Sequence, residues 1–230
     1  MNFSNIKSLT ILEGNVTKIS HGNVVLWQKI TSRIPDEYQE VEYVNRPPTL
    51  DKHYIDLGFA FDTGATIYIG YKKNSGNPQL FGAAENSGKH RCMLTDSGSV
   101  TIYGSNGSNY IGNTIATNTV RRDLKCTLKQ GSLLIEDLIS GVSSDSLKTQ
   151  VAYTMTSNLA LFAQHYNGTY RTTGDFNIYS FKYYDKTDNL VCDLVPCYRK
   201  SDGEIGMYDI VRKIFLTNGG AGKLVKGADV

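Results

Sequence analysis

The segment FNIYSFKYY at positions 176–184 decides the fold class of this chain. Large apolar residues alternate along it with smaller or polar ones, which is the two-residue period of a β-strand with one face against a hydrophobic core. We predict that the aromatic set faces this core, namely Tyr179, Phe181 and Tyr183. Such a strand needs a second apolar layer opposite it, so the segment favours a sandwich or a barrel.

Short strand-like runs recur on both sides of this segment. The run ATIYIGYKK at 65–73 is the clearest, and the runs at 124–129 and 133–138 flank Gln130-Gly131, a pattern typical of a hairpin. Further strands are predicted at 38–44, 54–60, 79–84, 90–95, 100–103, 159–163, 189–197, 205–208 and 213–216. The only helical pattern, at 144–155, is weak. The 22 glycines and 15 tyrosines agree with many short strands joined by turns, so we predict an all-β fold.

Residues 1–30 have the pattern of a small β module of their own. Its strand patterns lie at 8–12, 16–19 and 24–27. Trp27, the only tryptophan of the chain, is expected to cap its minor core. Because three short strands are barely stable alone, we expect this module to serve as an attachment or oligomer contact. A linker is predicted at 31–37, and a β-sandwich at 38–230.

Charge and hydropathy argue against several classes of partner. The formal net charge is only +2 and no run of Lys or Arg occurs, so no nucleic acid is expected. No stretch approaches the roughly 20 apolar residues that cross a bilayer, so no membrane partner is expected. The N-terminus lacks the apolar core of a signal peptide, which predicts synthesis in a cytoplasm without secretion.

The cysteines and histidines do not form a metal-site pattern. Cys92, Cys126, Cys192 and Cys197 include no C-x2-C pair, so buried free thiols are the preferred interpretation. The four histidines, at 21, 53, 90 and 165, are scattered and are predicted to be surface or turn residues. A structural calcium ion at Asp185–Asn189 is a weaker interpretation than a hairpin turn. We expect no cofactor.

Enzyme motifs are missing from the sequence. No phosphate-binding loop, H-E-x-x-H or G-x-S-x-G pattern occurs. Glycoside hydrolysis needs two carboxylates across a cleft. Glu40 and Glu42 share a strand face but lie beside the linker, and Glu136 and Asp137 are adjacent, so they point in opposite directions. We therefore predict a protein that is not an enzyme.

Two polar, tyrosine-containing stretches are the candidate ligand-binding loops. They read YGSNGSNYIGN at 103–113 and QHYNGTYR at 164–171. Tyrosine rings can stack on sugars, while amides and guanidinium groups can bond to hydroxyls. The candidate residues are Tyr103, Asn106, Asn109, Tyr110, His165, Tyr166, Asn167 and Arg171. The alternative is ordinary polar loop composition.

Several segments resemble a family of phage and prophage virion proteins. They are IPDEYQEVEYV at 34–44, HYIDLGF at 53–59, LFGAA at 80–84, FNIYSFKYYD at 176–185, LVCDLVPC at 190–197, IGMYD at 205–209 and FLTN at 215–218, preceded by a similar unit at 16–27. The resemblance covers about residues 34–230, with gaps around 105–157. It implies a concanavalin A-like lectin/glucanase sandwich of the laminin G-like, jelly-roll type. The matching motifs are structural, so no family ligand residue is carried over.

The resemblance also implies a place on a virion surface, in a tail fibre, baseplate or capsid decoration. Such domains are often associated with host-surface glycans, and their fibres with homo-oligomers. Our leading hypothesis is a virion surface protein, made in the bacterial cytoplasm, whose sandwich binds host carbohydrate and whose residues 1–30 contact other virion proteins. The alternatives are a capsid decoration or head fibre without glycan binding and, less favoured, a glycoside hydrolase.

Overall fold

The computed structural model describes residues 18–21, 24–28, 33–49, 52–85, 89–146, 150–171 and 173–230. The chain divides into two compact units, Met1–Arg33 and Ile34–Val230. In the first unit, strands β1 (Lys18–His21) and β2 (Val24–Gln28) form an antiparallel hairpin. The strand predicted at 8–12 and the packing of the Trp27 side chain lie outside what the structure describes.

The second unit is built of short strands, and none of its described residues is helical. Numbered along the chain, the strands are β3 (Tyr38–Glu40), β4 (Val44–Arg46), β5 (Ile55–Asp62), β6 (Thr66–Ser75), β7 (Gln79–Ala84), β8 (Arg91–Asp96), β9 (Ser99–Ser105), β10 (Tyr110–Ala116), β11 (Arg122–Lys129), β12 (Ser132–Asp137), β13 (Ser143–Ser146), β14 (Thr154–Leu161), β15 (Gln164–Tyr166), β16 (Thr169–Arg171), β17 (Asp175–Tyr184), β18 (Leu190–Arg199), β19 (Ile205–Asp209), β20 (Ile214–Thr217) and β21 (Val225–Lys226). The described residues therefore contain no helix that could cross a membrane.

These strands form two sheets. The eight-stranded sheet has the order β10-β9-β8-β7-β14-β5, with β15 parallel to β7 and paired to β16. The eleven-stranded sheet has the order β13-β12-β11-β6-β17-β18-β19-β20, with β3 on β18, β4 on β17 and β21 on β4. Most neighbours in these orders are successive strands, but the pairs β7–β14, β14–β5, β11–β6 and β6–β17 join distant parts of the sequence. Closure of the two sheets therefore depends on long-range pairing.

The core lies between the two sheets. Phe81 of β7 and Phe181 of β17 are fully buried and meet edge to face, with ring centroids 5.8 Å apart. Burying one such side chain stabilises the fold by about 1.5–3 kcal/mol. The predicted all-β sandwich, with sheets packed face to face, is confirmed.

A bulge in β17 changes the predicted inward set. Consecutive residues of β6 pair with Ile178 and Ser180, so Tyr179 between them is the extra residue of the bulge. The alternation therefore shifts by one residue at this point. Phe181 and Tyr183 are buried in the core as predicted, but Tyr179 is only half-buried and lies outside the core cluster. The prediction for Tyr179 is wrong.

Three other local predictions also need correction. The helical pattern at 144–155 gives no helix among its described residues, because β13 pairs with β12 and β14 pairs with β5, and this pairing overrides a weak local preference. The strand predicted at 38–44 is divided into β3 and β4, which pair with different strands. His53 is not a surface residue: it is 1% exposed and lies against the backbone of Gly222.

Candidate functional site

The outer face of the eight-stranded sheet carries the first group of predicted binding residues. Cys92 and Leu94 of β8 belong to the core, so their neighbour Met93 points outward. Met93 pairs with Tyr103, and Tyr103 pairs with Gly112 of β10. A Cβ atom on Gly112 would lie 3.2 Å from Cε1 of Tyr103, so the glycine gives the tyrosine ring room to lie against the sheet.

Arg91 joins the two tyrosines of this group. The centroids of the Tyr103 and Tyr110 rings are 5.8 Å apart, and their planes meet at 69°. The guanidinium carbon of Arg91 lies 4.2 Å from the centroid of Tyr110 and 5.7 Å from that of Tyr103. Tyr110 is 49% exposed. The cluster therefore presents two aromatic rings and one cation to the outside of the sheet.

The two asparagines of the first stretch lie in the β9–β10 turn. Oδ1 of Asn106 accepts hydrogen bonds from the backbone N–H groups of Ser108 (3.0 Å) and Asn109 (2.7 Å). The backbone carbonyl of Asn109 accepts from the N–H of Asn106 at 3.0 Å. Asn106 therefore shapes the turn, whereas the side chain of Asn109 is exposed beside Tyr110 in the sequence. The predicted loop at 104–113 is shorter than expected, because β10 begins at Tyr110.

The second stretch is a hairpin rather than a loop. Asn167 and Gly168 have φ values of 47° and 72°, as a two-residue type I′ turn requires. The turn brings Arg171 back beside Tyr166, with the guanidinium carbon 4.0 Å from the ring centroid. Tyr166 is half-buried and Arg171 is exposed.

The other face of this hairpin is packed against the sandwich. Tyr170 stacks on Tyr54 with centroids 3.6 Å apart, and on His165 with centroids 4.3 Å apart. The Tyr170 hydroxyl donates to Oδ2 of Asp56 at 2.7 Å. Burial and this hydrogen bond raise the pKa of Tyr170 well above its usual range. His165 Nδ1 donates to the backbone carbonyl of Asn158 at 3.1 Å. His165 therefore helps to hold the hairpin in place.

The sheet register brings the two groups into one row. Tyr166 of β15 pairs with Ala84 of β7, and Ala84 pairs with Arg91 of β8. Paired residues point to the same face, and only one strand separates Tyr166 from Arg91, so their backbones are about 10 Å apart. We call the set Arg91, Tyr103, Tyr110, Tyr166 and Arg171 the tyrosine–arginine face.

Sequence reasoning missed Arg91. It lies outside both candidate stretches and joins them only through the pairing of β7, β8 and β15. The one sequence signal is its place in the strand run 90–95, where it alternates with Cys92. That pattern predicts the outward direction of Arg91 but gives no information about the neighbouring tyrosines.

The described residues contain no group of three or more His, Cys, Asp or Glu that could hold a metal ion. The oxygens of Asp185, in the calcium candidate, are engaged in the turn. Oδ1 accepts from the Thr187 N–H (2.8 Å), the Thr187 hydroxyl (2.7 Å) and the Asn189 N–H (3.0 Å). These bonds, led by the Thr187 hydroxyl, lower the pKa of Asp185 to about 2. The geometry fits the hairpin-turn interpretation.

All four cysteines are free and buried, as the sequence predicted. Burial disfavours the thiolate and raises the pKa of Cys197 to about 12. The adjacent carboxylates Glu136 and Asp137 also point in opposite directions as predicted. Glu136 faces outward and pairs with Lys125, whereas Asp137 is 2% exposed.

Comparison with solved structures identifies the fold. The mouse laminin alpha1 chain, domains LG4-5, superimposes with a TM-score of 0.53 and 11% identity over 93% of this chain and 52% of that chain. Chicken galectin 2 matches with a TM-score of 0.34, 9% identity, and coverage of 58% and 98%. A β-1,3-glucanase from Mycobacterium marinum matches with a TM-score of 0.32, 11% identity, and coverage of 57% and 67%.

The chain thus spans about half the length of the laminin structure. No protein-family model and no curated protein sequence matches it. The laminin likeness, together with the two mainly antiparallel sheets, shows a concanavalin A-like, laminin G-like jelly-roll sandwich. At 11% identity this likeness concerns the fold alone.

Proposed function

We propose that this chain is a non-enzymatic phage virion surface protein whose lectin-like sandwich binds carbohydrate on the host surface. The observation that carries the proposal is the tyrosine–arginine face. It combines the rings of Tyr103, Tyr110 and Tyr166 with the cations of Arg91 and Arg171 on one side of one sheet.

Sugars suit such a face because they have an apolar C–H side and a rim of hydroxyl groups. Tyrosine rings can stack on the former, and a guanidinium can donate several hydrogen bonds to the latter. Gly82 and Ala84 of β7, which lie between the two groups, are both buried, so the accessible parts of this face are its tyrosine rings and guanidinium groups. A flat, ring-lined surface with donors at its sides accommodates an extended glycan better than a compact charged ligand.

The non-enzymatic part of the proposal is supported by the residues that face outward on strands β7 to β10. They are glycine, alanine, arginine, methionine, threonine, tyrosine, serine and glutamine, at positions 79, 82, 84, 91, 93, 95, 99, 101, 103, 105, 110, 112, 114 and 116. Glycoside hydrolysis by the usual route uses two carboxylates that flank the scissile bond. These positions supply aromatic and hydrogen-bonding groups, which suit binding.

The virion part of the proposal is supported by the sequence motifs at 34–44 and 176–218 that resemble phage virion proteins. A single site of this kind is expected to bind weakly, with a Kd of around 0.1–1 mM. Many copies on one particle would turn weak contacts into firm attachment. A homo-oligomer on a virion therefore fits a shallow, exposed site.

Binding to cells tests this proposal. The full chain, displayed in many copies on a bead, is incubated with a panel of bacteria and with their purified surface polysaccharides. We expect saturable binding to some strains, and competition by the matching free polysaccharide. Folded protein that binds no strain and no polysaccharide would contradict glycan binding.

The alternative is a capsid decoration or head fibre that binds no glycan. The observation that favours it is the separation of Met1–Arg33 as a compact unit of its own, as a docking module would be. If this unit contacts other virion proteins, deletion of residues 1–30 should abolish incorporation into particles while 34–230 keeps its fold. Incorporation at the normal level without residues 1–30 would refute the docking role.

A further inference from the structure

The outer face of the eleven-stranded sheet carries a second set of aligned polar and aromatic residues. Ile67 and Ile69 of β6 are in the core, so Tyr68 between them points outward. Tyr68 pairs with Lys125 of β11 on one side and with Lys182 of β17 on the other. Lys125 pairs in turn with Glu136 of β12, and Lys182 with Asp193 of β18. We call this row of five residues the lysine–tyrosine ladder.

The ion pairs of the ladder draw both ammonium groups away from its centre. Lys125 Nζ lies 2.8 Å from Oε2 of Glu136, and Lys182 Nζ lies 3.0 Å from Oδ2 of Asp193. Both carboxylates belong to the strand farther from Tyr68. The Tyr68 ring, which is half-buried, therefore lies between two lysine stems instead of beneath their charges.

Gly70 forms the floor of a depression beside Tyr68. A Cβ atom there would lie 2.7 Å from Oδ1 of Asp123 and 2.8 Å from the hydroxyl oxygen of Ser180. The neighbouring side chains thus leave no room for a Cβ atom at this position. This explains why a glycine stands in a central strand, where it would otherwise be destabilising. The depression has a volume of about 350 Å³ and also contacts Lys182 and Tyr184.

A second depression continues the first on the other side of the tyrosines. Tyr68 and Tyr184 line both, and their ring centroids are 5.7 Å apart. The second has a volume of about 520 Å³, with Thr66, Thr127 and Lys125 in its lining. Ligand sites commonly have volumes of about 300–1,000 Å³, so each depression is large enough for a small ligand. Together we call them the central groove.

Charge in and around the groove is balanced. Arg121 pairs with Asp123, Lys125 with Glu136 and Lys182 with Asp193. Lys129 and Asp188, which also line the second depression, add one charge of each sign, so the groove has no excess charge that would favour an ion. A neutral ligand rich in hydroxyl groups could accept from the ammonium groups and donate to the carboxylates. The aromatic pair in the middle offers the stacking surface that such a ligand uses.

The geometry points to a second carbohydrate site, in which the central groove binds a neutral oligosaccharide with sugar units on both sides of the Tyr68–Tyr184 pair. It goes beyond the proposed function, because this groove lies on the other sheet and its binding does not require the tyrosine–arginine face. Two sites on opposite sheets would let one sandwich contact two glycan chains.

Amide chemical shifts of the ¹⁵N-labelled full chain can test this inference. The chain is titrated separately with cellotetraose, maltotetraose, mannotetraose and chitotetraose, and with the anionic tetragalacturonate. We expect at least one neutral tetrasaccharide to shift the Gly70 and Tyr68 amide signals saturably. Tetragalacturonate should bind there more weakly than that neutral sugar. The absence of saturable shifts at Gly70 with every neutral sugar, or tightest binding by tetragalacturonate, would overturn the inference.

The same spectra separate this inference from the proposed function. Shifts at Gly112 report on the tyrosine–arginine face, so shifts there without any at Gly70 would overturn only the second site. Shifts at Gly70 without any at Gly112 would support the second site and leave the tyrosine–arginine face without evidence of binding.

Variants give a second readout. Gly70→Ala fills the floor, and Tyr68→Ala removes the stacking ring, so each should weaken neutral-sugar binding at the groove about tenfold. Tyr198→Ala, on β18 outside both depressions, is the matched control and should leave neutral-sugar binding at the groove unchanged. If Gly70→Ala does not fold, Tyr68→Ala decides, and unchanged affinity would overturn the inference.

Discussion

Asp209 organises the β19–β20 turn and helps join the two sheets. The residue is fully buried, and its Oδ1 accepts from the N–H groups of Val211 (2.9 Å) and Arg212 (3.2 Å). Its Oδ2 pairs with Nε of Arg212 at 2.5 Å. Arg212 also donates from Nη1 to the carbonyl of Leu57 in β5, which belongs to the other sheet. A single carboxylate therefore supports contacts in both layers.

We predict that Asp209→Asn destabilises the fold by about 3 kcal/mol at pH 7, because it leaves the Arg212 cation without its buried partner. Burial raises the pKa of Asp209, but the bonds from Arg212 outweigh this, and the pKa lies below its usual value. A carboxylate of this kind stabilises the fold above its unfolded pKa of about 3.9 and loses that contribution as the pH falls through the lower folded pKa.

Urea denaturation at neutral and acidic pH measures both effects. The difference in unfolding free energy between wild type and Asp209→Asn should have its full size of about 3 kcal/mol at pH 7, and it should shrink as the pH falls below about 4. Asp202→Asn, in an exposed pair with Arg199, serves as the control and should change little. A gap that is independent of pH would contradict the role given to Asp209.

Strand β17 contains a β-bulge that simple alternation of apolar and polar residues does not predict. The sequence identifies the strand and places Phe181 and Tyr183 in the core, but the bulge at Tyr179 depends on pairing with β6. A one-residue insertion in a strand leaves no clear mark in a period-two pattern when the residue is itself aromatic.

The bulge leads to a direct comparison of two aromatic residues in one strand. Phe181→Ala should cost about 3–5 kcal/mol, because it leaves a cavity between the sheets. Tyr179→Ala should cost about 1 kcal/mol or less, because the ring lies outside the core cluster. Thermal or urea unfolding of the two variants measures the difference, and equal losses would contradict the outward position of Tyr179.

The β15–β16 hairpin shows what local sequence reasoning can provide. Asn167-Gly168 is the dipeptide typical of a two-residue hairpin turn, so the sequence contained the signal for this element. It did not reveal that His165 faces Tyr170 on one side while Tyr166 faces Arg171 on the other. That division follows from alternation once the hairpin and its register are known.

At the scale of the whole molecule, the fold class could be predicted from the sequence and the two proposed binding surfaces could not. Alternation and turn residues are local properties, and they were sufficient for an all-β sandwich or barrel. The resemblance to phage virion proteins narrowed this to a sandwich. The tyrosine–arginine face joins Arg91 to Tyr166, and the central groove joins Tyr68 to Lys182 and Lys125. Each depends on the register of strands that are distant in sequence, which no local pattern specifies.

The two surfaces lie on opposite sheets of one sandwich, since β8 to β10 and β15 belong to one sheet and β6, β11 and β17 to the other. A protein with this arrangement presents aromatic rings and hydrogen-bonding groups to the outside on both sides. Under the proposed function, such a surface would suit a multicopy particle that meets a layer of host polysaccharide, because several weak contacts can form at once.

Sugar binding at the tyrosine–arginine face is tested most directly by the affinity of a Tyr103→Ala/Tyr110→Ala double variant for a host polysaccharide that the wild type binds. Isothermal titration of wild type, double variant and the Tyr198→Ala control with the same polysaccharide gives the three Kd values. We predict that the double variant binds at least about tenfold more weakly, while the control matches wild type. Equal Kd values for all three folded proteins would contradict binding at this face.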